Sequence, residues 1–286
     1  MTATVQPVSV PAPAPDPSPV PSPPARAARL GPAAATLGWG LLGAATLVVV
    51  WALVCTRTED LPTPAATFTA LRQLLSGAFE DQADYGRGIG LQLMSSLGRV
   101  FKGFLVATLV GVPTGLAMGA SRRAWKAMNP IVQLLRPVSP LAWFPIALTI
   151  TKAAPTASVW VIFVTALWLV VINTAAGAAH IPHEQLDVAR VFRFGRVAHV
   201  RHVLLPNALP SIVTGLRSAM GIAWMVIVAV EMMSASSGIG FFVWDAYNAG
   251  NLDFVIAAIV IIGVVGLVLD ALFLQLGRKV TLEVRR

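Results

Sequence analysis

EQLDVARVFRFGRVAHVRHVLLPNALP, Glu184 to Pro210, interrupts a chain that is otherwise apolar. It holds Glu184, Asp187, Arg190, Arg193, Arg196 and Arg201 between runs long enough to cross a bilayer. At about 2.5–3.5 kcal/mol per charge near the bilayer centre, burying these six would cost about 15–20 kcal/mol. The stretch is therefore a water-exposed connection, not a span. Pro182 suits the first turn of a helix, and Glu184 and Asp187 suit its positive N-terminal end. Val188 and Ala189 are small and let another surface approach closely. Gly195 permits a break, and Val197–Leu205 reads as a second short helix ended by Pro206 and Pro210. Two short helices between spans form either a docking element or a plain amphipathic connector lying on the headgroups. These residues alone do not choose between the two.

The composition agrees with a membrane setting. Apolar residues make up 56% of the 286 residues and charged residues 12%, against about 25% charged in a soluble domain. Mean hydropathy is +0.73, so most of the chain faces lipid or other apolar helices. A net charge of +8 points to a cytoplasmic leaflet and a topological bias in a chain this apolar, not to nucleic acid. Cys55 stands alone, which excludes an internal disulfide and supplies no metal site. His180, His183, His199 and His202 fall in or beside the opening stretch. His183-Glu184 begins a zinc-protease-like string, but position 187 is Asp, and the four read as solvated loop histidines. No metal or cofactor is expected.

Residues 1–34 are rich in Pro and Ala and read as a disordered cytoplasmic tail. Residues 35–56 read as an uncleaved transmembrane anchor, and 57–89, with Glu59, Asp60, Glu80, Asp81 and Asp84, as a periplasmic connection with a short amphipathic helix near Phe68–Leu75. Residues 90–277 form the core, with a cytoplasmic loop at 180–207, and 278–286 a cytoplasmic tail. Six apolar segments, at about 36–55, 95–119, 128–150, 157–178, 208–233 and 254–276, are each near the roughly 20 residues a bilayer demands. With both termini in the cytoplasm, fifteen of the 21 lysines and arginines fall on the inner side, as the positive-inside rule requires. Arg99 and Lys102 are exceptions near the outer end of the second span; they either snorkel or attract anions. Gly111, Gly115 and Gly119 are spaced to let helices pack closely.

Candidates for a translocation path come from what is unusual inside spans. Pro137, Pro140 and Pro145 interrupt the third apolar segment around Trp143, and irregular backbone at that depth belongs where it lines protein or a water-filled cavity. Asn173, Trp224 and Glu231 complete the set. Glu231 is an intramembrane carboxylate, serving either the path or as structural partner of a basic residue.

At Asp187-Val188-Ala189, Arg193 and Val203-Leu204-Leu205-Pro206 the opening stretch resembles the EAA motif of ABC-transporter permeases. Asp187 stands for Glu, Val188 for the first Ala and Arg193 for the usual Gly, a variant similar to that of the nitrate, bicarbonate and cyanate branch. SLGRVFKGF (96–104), RPVSPLAWFPIAL (136–148), TGLRSAMGIAWMVIVAVEM (214–232) and GIGFFVWDAYNAG (238–250) extend the likeness over roughly 90–277. The resemblance implies an all-α, polytopic membrane protein of six transmembrane helices with the type I ABC importer permease (MetI-like) core. It implies ATPase-coupling roles for Glu184, Asp187, Val188, Ala189, Arg190, Arg193, Leu205 and Pro206. It also implies three partners: an ABC ATPase subunit, a periplasmic or lipoprotein solute-binding protein, and a second permease copy, as a homodimer. No G-x-x-x-x-G-K-[ST] occurs, so ATP is expected to be hydrolysed by the partner and not by this chain. The expected cargo is nitrate or nitrite, with bicarbonate, cyanate and sulfonate or taurine as alternatives. A secondary transporter working alone would need charged relays and inverted repeats, neither of which is clear in the sequence. An intramembrane enzyme would need a nucleophile–base set, and none appears among the spans.

Overall fold

Long apolar runs free of breakers become long helices, and charged or proline-rich interruptions set where they stop. A computed structural model describes residues 32–58, 61–82, 86–181, 185, 189, 191–234 and 237–284. Helix α1, Pro32–Cys55, is uncharged throughout its 24 residues. At about 1.5 Å per residue it is long enough to span a bilayer core. It belongs up to Val50 to a unit of its own. The tail expected over 1–34 lies outside the described residues up to position 31, and the helix already begins at Pro32.

The second unit starts at Trp51. Helix α2, Pro64–Ser76, is capped by Thr63, whose Oγ1 accepts the Ala66 N–H at 3.3 Å, with Pro64 in the first turn. It buries Thr67, Ala70 and Leu74, and is the amphipathic helix expected near Phe68–Leu75. A two-residue hairpin, β1 Asp81–Gln82 against β2 Gly86–Arg87, leads into α3, Ile89–Ala120. Then come α4, Arg122–Leu135, a 3₁₀ turn Pro140–Trp143, α5, Phe144–Thr151, and α6, Ala154–Ala179. A short helical run, Arg196–His199, and a π turn, Val200–Leu204, enter α7, Leu205–Ser234. Helices α8, Ile239–Asn248, and α9, Leu252–Val284, complete the chain.

Five helices are long and apolar enough to cross a membrane, and six crossings result only when α4 and the Pro140–Thr151 pair count as one. The third segment, expected over 128–150 with prolines interrupting it, is bent, its two halves meeting at 95°. Pro137 and Pro140 flank Ser139, whose backbone is extended, and the helical ladder cannot run through them. One expectation is corrected: Pro206 and Pro210 do not end a helix. The residues before Pro206 shift to π-type bonding, with Leu205 N–H reaching Val200 O, and the helix continues through both prolines to Ser234. At the C-terminus, 278–284 continue α9.

The core lies where α3, α6, α7, α8 and α9 converge, around Val100, Phe104, Ile162, Val170, Met220, Ile227, Ile239 and Phe242. Close approach of α3 to α6 depends on glycine. A Cβ on Gly111 would meet the Val170 side chain, one on Gly115 would stand 2.5 Å from Thr174 Cβ and 2.7 Å from Val171 O, and one on Gly119 would meet Ala175 O and Ala178. Gly103 sits likewise against Val159 O and Ile162. In lipid, where no hydrophobic force separates helix from solvent, such backbone proximity is a main source of association.

Replacing Gly115 by Ala is expected to lower the thermal stability of the purified protein by about 1–3 kcal/mol through overpacking. Gly221→Ala, where a Cβ meets nothing within 4 Å, should leave it unchanged or slightly raised. Differential scanning fluorimetry in detergent distinguishes the two; equal stability of both variants would contradict a glycine-dependent α3–α6 contact.

Candidate coupling segment and translocation path

The charged stretch that cannot enter the bilayer follows α6. Glu184, Asp187, Val188 and Arg190 lie outside the described residues, whereas Gln185, Ala189 and Val191 are helical. Ala189 is buried. Arg193 has φ +49, the left-handed conformation that glycine adopts freely. Phe194 N–H then reaches back to Ala189 O at 3.0 Å, the long bond of a Schellman ending. Arg193 therefore builds, with a side chain attached, a turn that glycine ordinarily builds. Beyond it, Asn207 Nδ2 donates to Gln185 Oε1 at 2.5 Å and to Val203 O at 2.6 Å, tying this segment to the start of α7. Leu205 packs on the cluster of Ala178, Leu204, Ala208 and Ile212, and Pro206 is half-buried beside it. Val191, Phe192 and Val197 are 78%, 70% and 81% exposed. Large apolar side chains so exposed on a charged connection mark a surface suited to a partner protein or to the lipid headgroups.

The path candidates separate into two groups. Pro140 and Trp143 line one cavity of about 210 Å³ together with Arg136, Thr165, Trp168 and Ile222. Trp143 also stacks obliquely on Trp160, ring centroids 5.8 Å apart. The other three candidates pack between helices. Asn173 donates to Leu169 O at 2.8 Å and occupies the space that Gly215 leaves open on α7. Trp224 is buried, donates from Nε1 to Ile262 O at 3.1 Å, and lies against Gly266, which fastens α7 to α9.

Glu231 has no exposed surface. Its Oε1 accepts from Arg99 Nη1 at 2.6 Å, and its Oε2 accepts from Ser96 Oγ at 2.7 Å and from Gly240 N–H at 3.1 Å. Arg99 also donates to Ser237 O at 2.8 Å and to Ser237 Oγ. Gln92 and Ser96 accept the Gly238 and Ile239 N–H groups at 2.7 and 2.9 Å. Gln92, Ser96 and Arg99 recur at i, i+4 and i+7, so one face of α3 holds both the carboxylate and the turn between α7 and α8. Gly238 has φ +113, and a Cβ there would collide with the Glu231 carboxylate. Sequence reading singled out Arg99 and Glu231 separately but not their pairing, and missed Gln92 and Ser96, which nothing local distinguishes from ordinary helix residues. A second ion pair, Arg217 to Asp270 with both contacts at 2.6 Å, links α7 and α9. Among the described residues no cluster of His, Cys, Asp and Glu could hold a metal.

With this architecture in view, residues 92–282 match the family described as binding-protein-dependent transport system inner membrane component. The chain belongs to that family. It is thus a membrane-spanning transport subunit and not itself an enzyme. It is 40% identical over 227 residues to the nitrate import permease protein NrtB of Synechocystis, covering 79% of this chain and 82% of the relative. It is also 40% identical over 243 residues to the bicarbonate transport system permease protein CmpB of Synechococcus elongatus, covering 84% and 86%. Its fold is similar to that of the MetNI methionine ABC transporter in an inward-facing conformation, with TM-score 0.60 and 18% identity over 65% of this chain and 93% of that one.

Two outcomes test these local constructions. Glu231→Ala strands the nearly buried Arg99 guanidinium and should destabilise by about 3–5 kcal/mol, while the double variant with Arg99→Met should recover part of that loss in thermal unfolding. No recovery would mean that the two residues act independently. Arg193→Gly relieves a left-handed side-chain residue and should stabilise the turn by about 1 kcal/mol, read as slower hydrogen exchange at Phe194; faster exchange would contradict the assigned turn.

Proposed function

We propose that this chain is the membrane path of an ATP-driven importer for a small oxyanion, nitrate or nitrite in the first place, with bicarbonate, cyanate and sulfonates such as taurine as alternatives. The observation that carries the reading is the charged segment after α6, with Val191, Phe192 and Val197 left bare on it. A separate ABC ATPase subunit docks there from the cytoplasm and hydrolyses the ATP. A solute-binding protein delivers cargo at the other face, a second copy of the chain completes the pore, and both termini lie inside the cell. Glu184, Asp187, Val188, Ala189, Arg190, Arg193, Leu205 and Pro206 form the coupling element, and Pro140 and Trp143 line the path. The relatives named for nitrate and for bicarbonate stand at the same identity, and both anions are planar, singly charged and small. Overall likeness therefore supports the class of cargo more strongly than the choice within it.

Proteoliposomes holding the chain with its ATPase and binding protein should accumulate nitrate only when ATP is supplied, and Asp187→Lys should lower that uptake by about tenfold, the weight of one charge-assisted contact. Uptake that persists without the ATPase would establish a secondary transporter instead, and uptake of bicarbonate but not nitrate would reassign the cargo.

A further inference from the structure

Helix α7 runs for 30 residues, about 45 Å at 1.5 Å per residue, against a bilayer core of about 30 Å. Its first turn is tied to the charged segment through Asn207 and Gln185. Its far end, with α8 behind it, therefore opens on the opposite side of the membrane. Helix α8 has two unlike faces. Ile239, Phe242, Val243 and Ala246, at i, i+3, i+4 and i+7, are buried in the core. Trp244, Asp245, Tyr247 and Asn248 are exposed. The Trp244 and Tyr247 rings stack with centroids 5.9 Å apart and planes at 29°. They make a flat aromatic platform on a firm base, because Gln92, Ser96 and Glu231 accept the N–H groups of Gly238, Ile239 and Gly240.

Charge decides what can cover this platform. Asp245 lies on the exposed face with the rings, and Asp253 is exposed in the first turn of α9. No Lys, Arg or His occurs from Ser218 to Gly277, so this stretch brings no cation to offset them. An interfacial aromatic belt would seat the rings among headgroups, but anionic headgroups attract basic segments and repel carboxylates. A small anion is a poor ligand for the same reason. Two copies meeting through this face about a two-fold axis would set each patch on its own equivalent, a like-charge contact that opposes association. A partner protein with apolar and basic side chains fits. Trp and Tyr are among the residues most enriched in interface hot spots, and a carboxylate beside them pairs with Arg or Lys.

Resting on the reading of the chain as an importer subunit served by a solute-binding protein, we propose that the exposed face of α8 is where that protein docks, through a basic surface that covers Trp244 and Tyr247. One helix face is smaller than the roughly 800 Å² that each partner buries in a standard interface. It is the centre of a contact that extends over the neighbouring outer connections. The bond from Gly240 N–H to Glu231 fastens α8 to α7, and α7 is tied at its other end to the coupling segment. A single helix thus runs between the docking sites of the two partners.

The test uses the permease–ATPase complex in proteoliposomes with purified binding protein. Trp244→Ala and Tyr247→Ala should each raise the binding-protein concentration that half-maximally stimulates ATP hydrolysis by about tenfold, and Trp244→Phe by less. Asp245→Lys should weaken stimulation, and Asp245→Asn should flatten its salt dependence. Thermal unfolding and ATP hydrolysis without binding protein should not change, which separates docking from folding. A photoreactive phenylalanine analogue in place of Tyr247 should crosslink to the binding protein, a readout that does not depend on the alanine variants folding. Unchanged stimulation in the variants, or crosslinks only to lipid or to the second copy, in a complex that imports nitrate overturns the docking face and leaves the function standing. Docking at α8 without ATP-driven import of any oxyanion keeps the surface and removes the proposed function, and neither docking nor import removes both.

Discussion

Charge cannot rest unpaired in hydrocarbon, and the whole arrangement of this chain follows from how that constraint is met. It is met in three ways. The six-charge stretch after α6 carries too many charges to be buried as a span. Glu231 and Arg99 neutralise each other inside the bundle, with Ser96 and the Gly240 N–H taking the remaining acceptor positions. Arg217 and Asp270 do the same between α7 and α9 at a more exposed position. The apolar remainder is then free to pack through close backbone contact, which the glycines of α3 allow.

The Glu231 network has consequences beyond charge. It joins the end of α7, the turn at 237–240 and the start of α8 to one face of α3, and the Gly238 backbone is admitted only because it carries no side chain. The carboxylate thus organises a turn, and its surroundings are those of a structural anchor. Trp224 and Asn173 act in the same sense, each filling the gap left by a glycine on a neighbouring helix. What remains open is the cavity beside the bend at Pro140.

Much of this was legible in the sequence. Apolar length and the absence of breakers marked the long helices, and the spacing of Gly111, Gly115 and Gly119 anticipated the α3–α6 contact. The prolines of the third segment announced a break, but no local signal gave its 95° angle. Pro206 and Pro210 were misleading, because a lost N–H is absorbed by a π turn as readily as it ends a helix. The Arg99–Glu231 pair joins residues 132 positions apart, so it could not be read from a single stretch.

The account stands or falls on which side of the membrane the charged segment faces. A Val197→Cys variant in a Cys55→Ser background offers one thiol on an 81% exposed position. In intact cells a membrane-impermeant maleimide should leave it unlabelled, labelling should appear once the inner face is opened, and added ATPase subunit should protect it. Labelling from outside in intact cells would contradict the account.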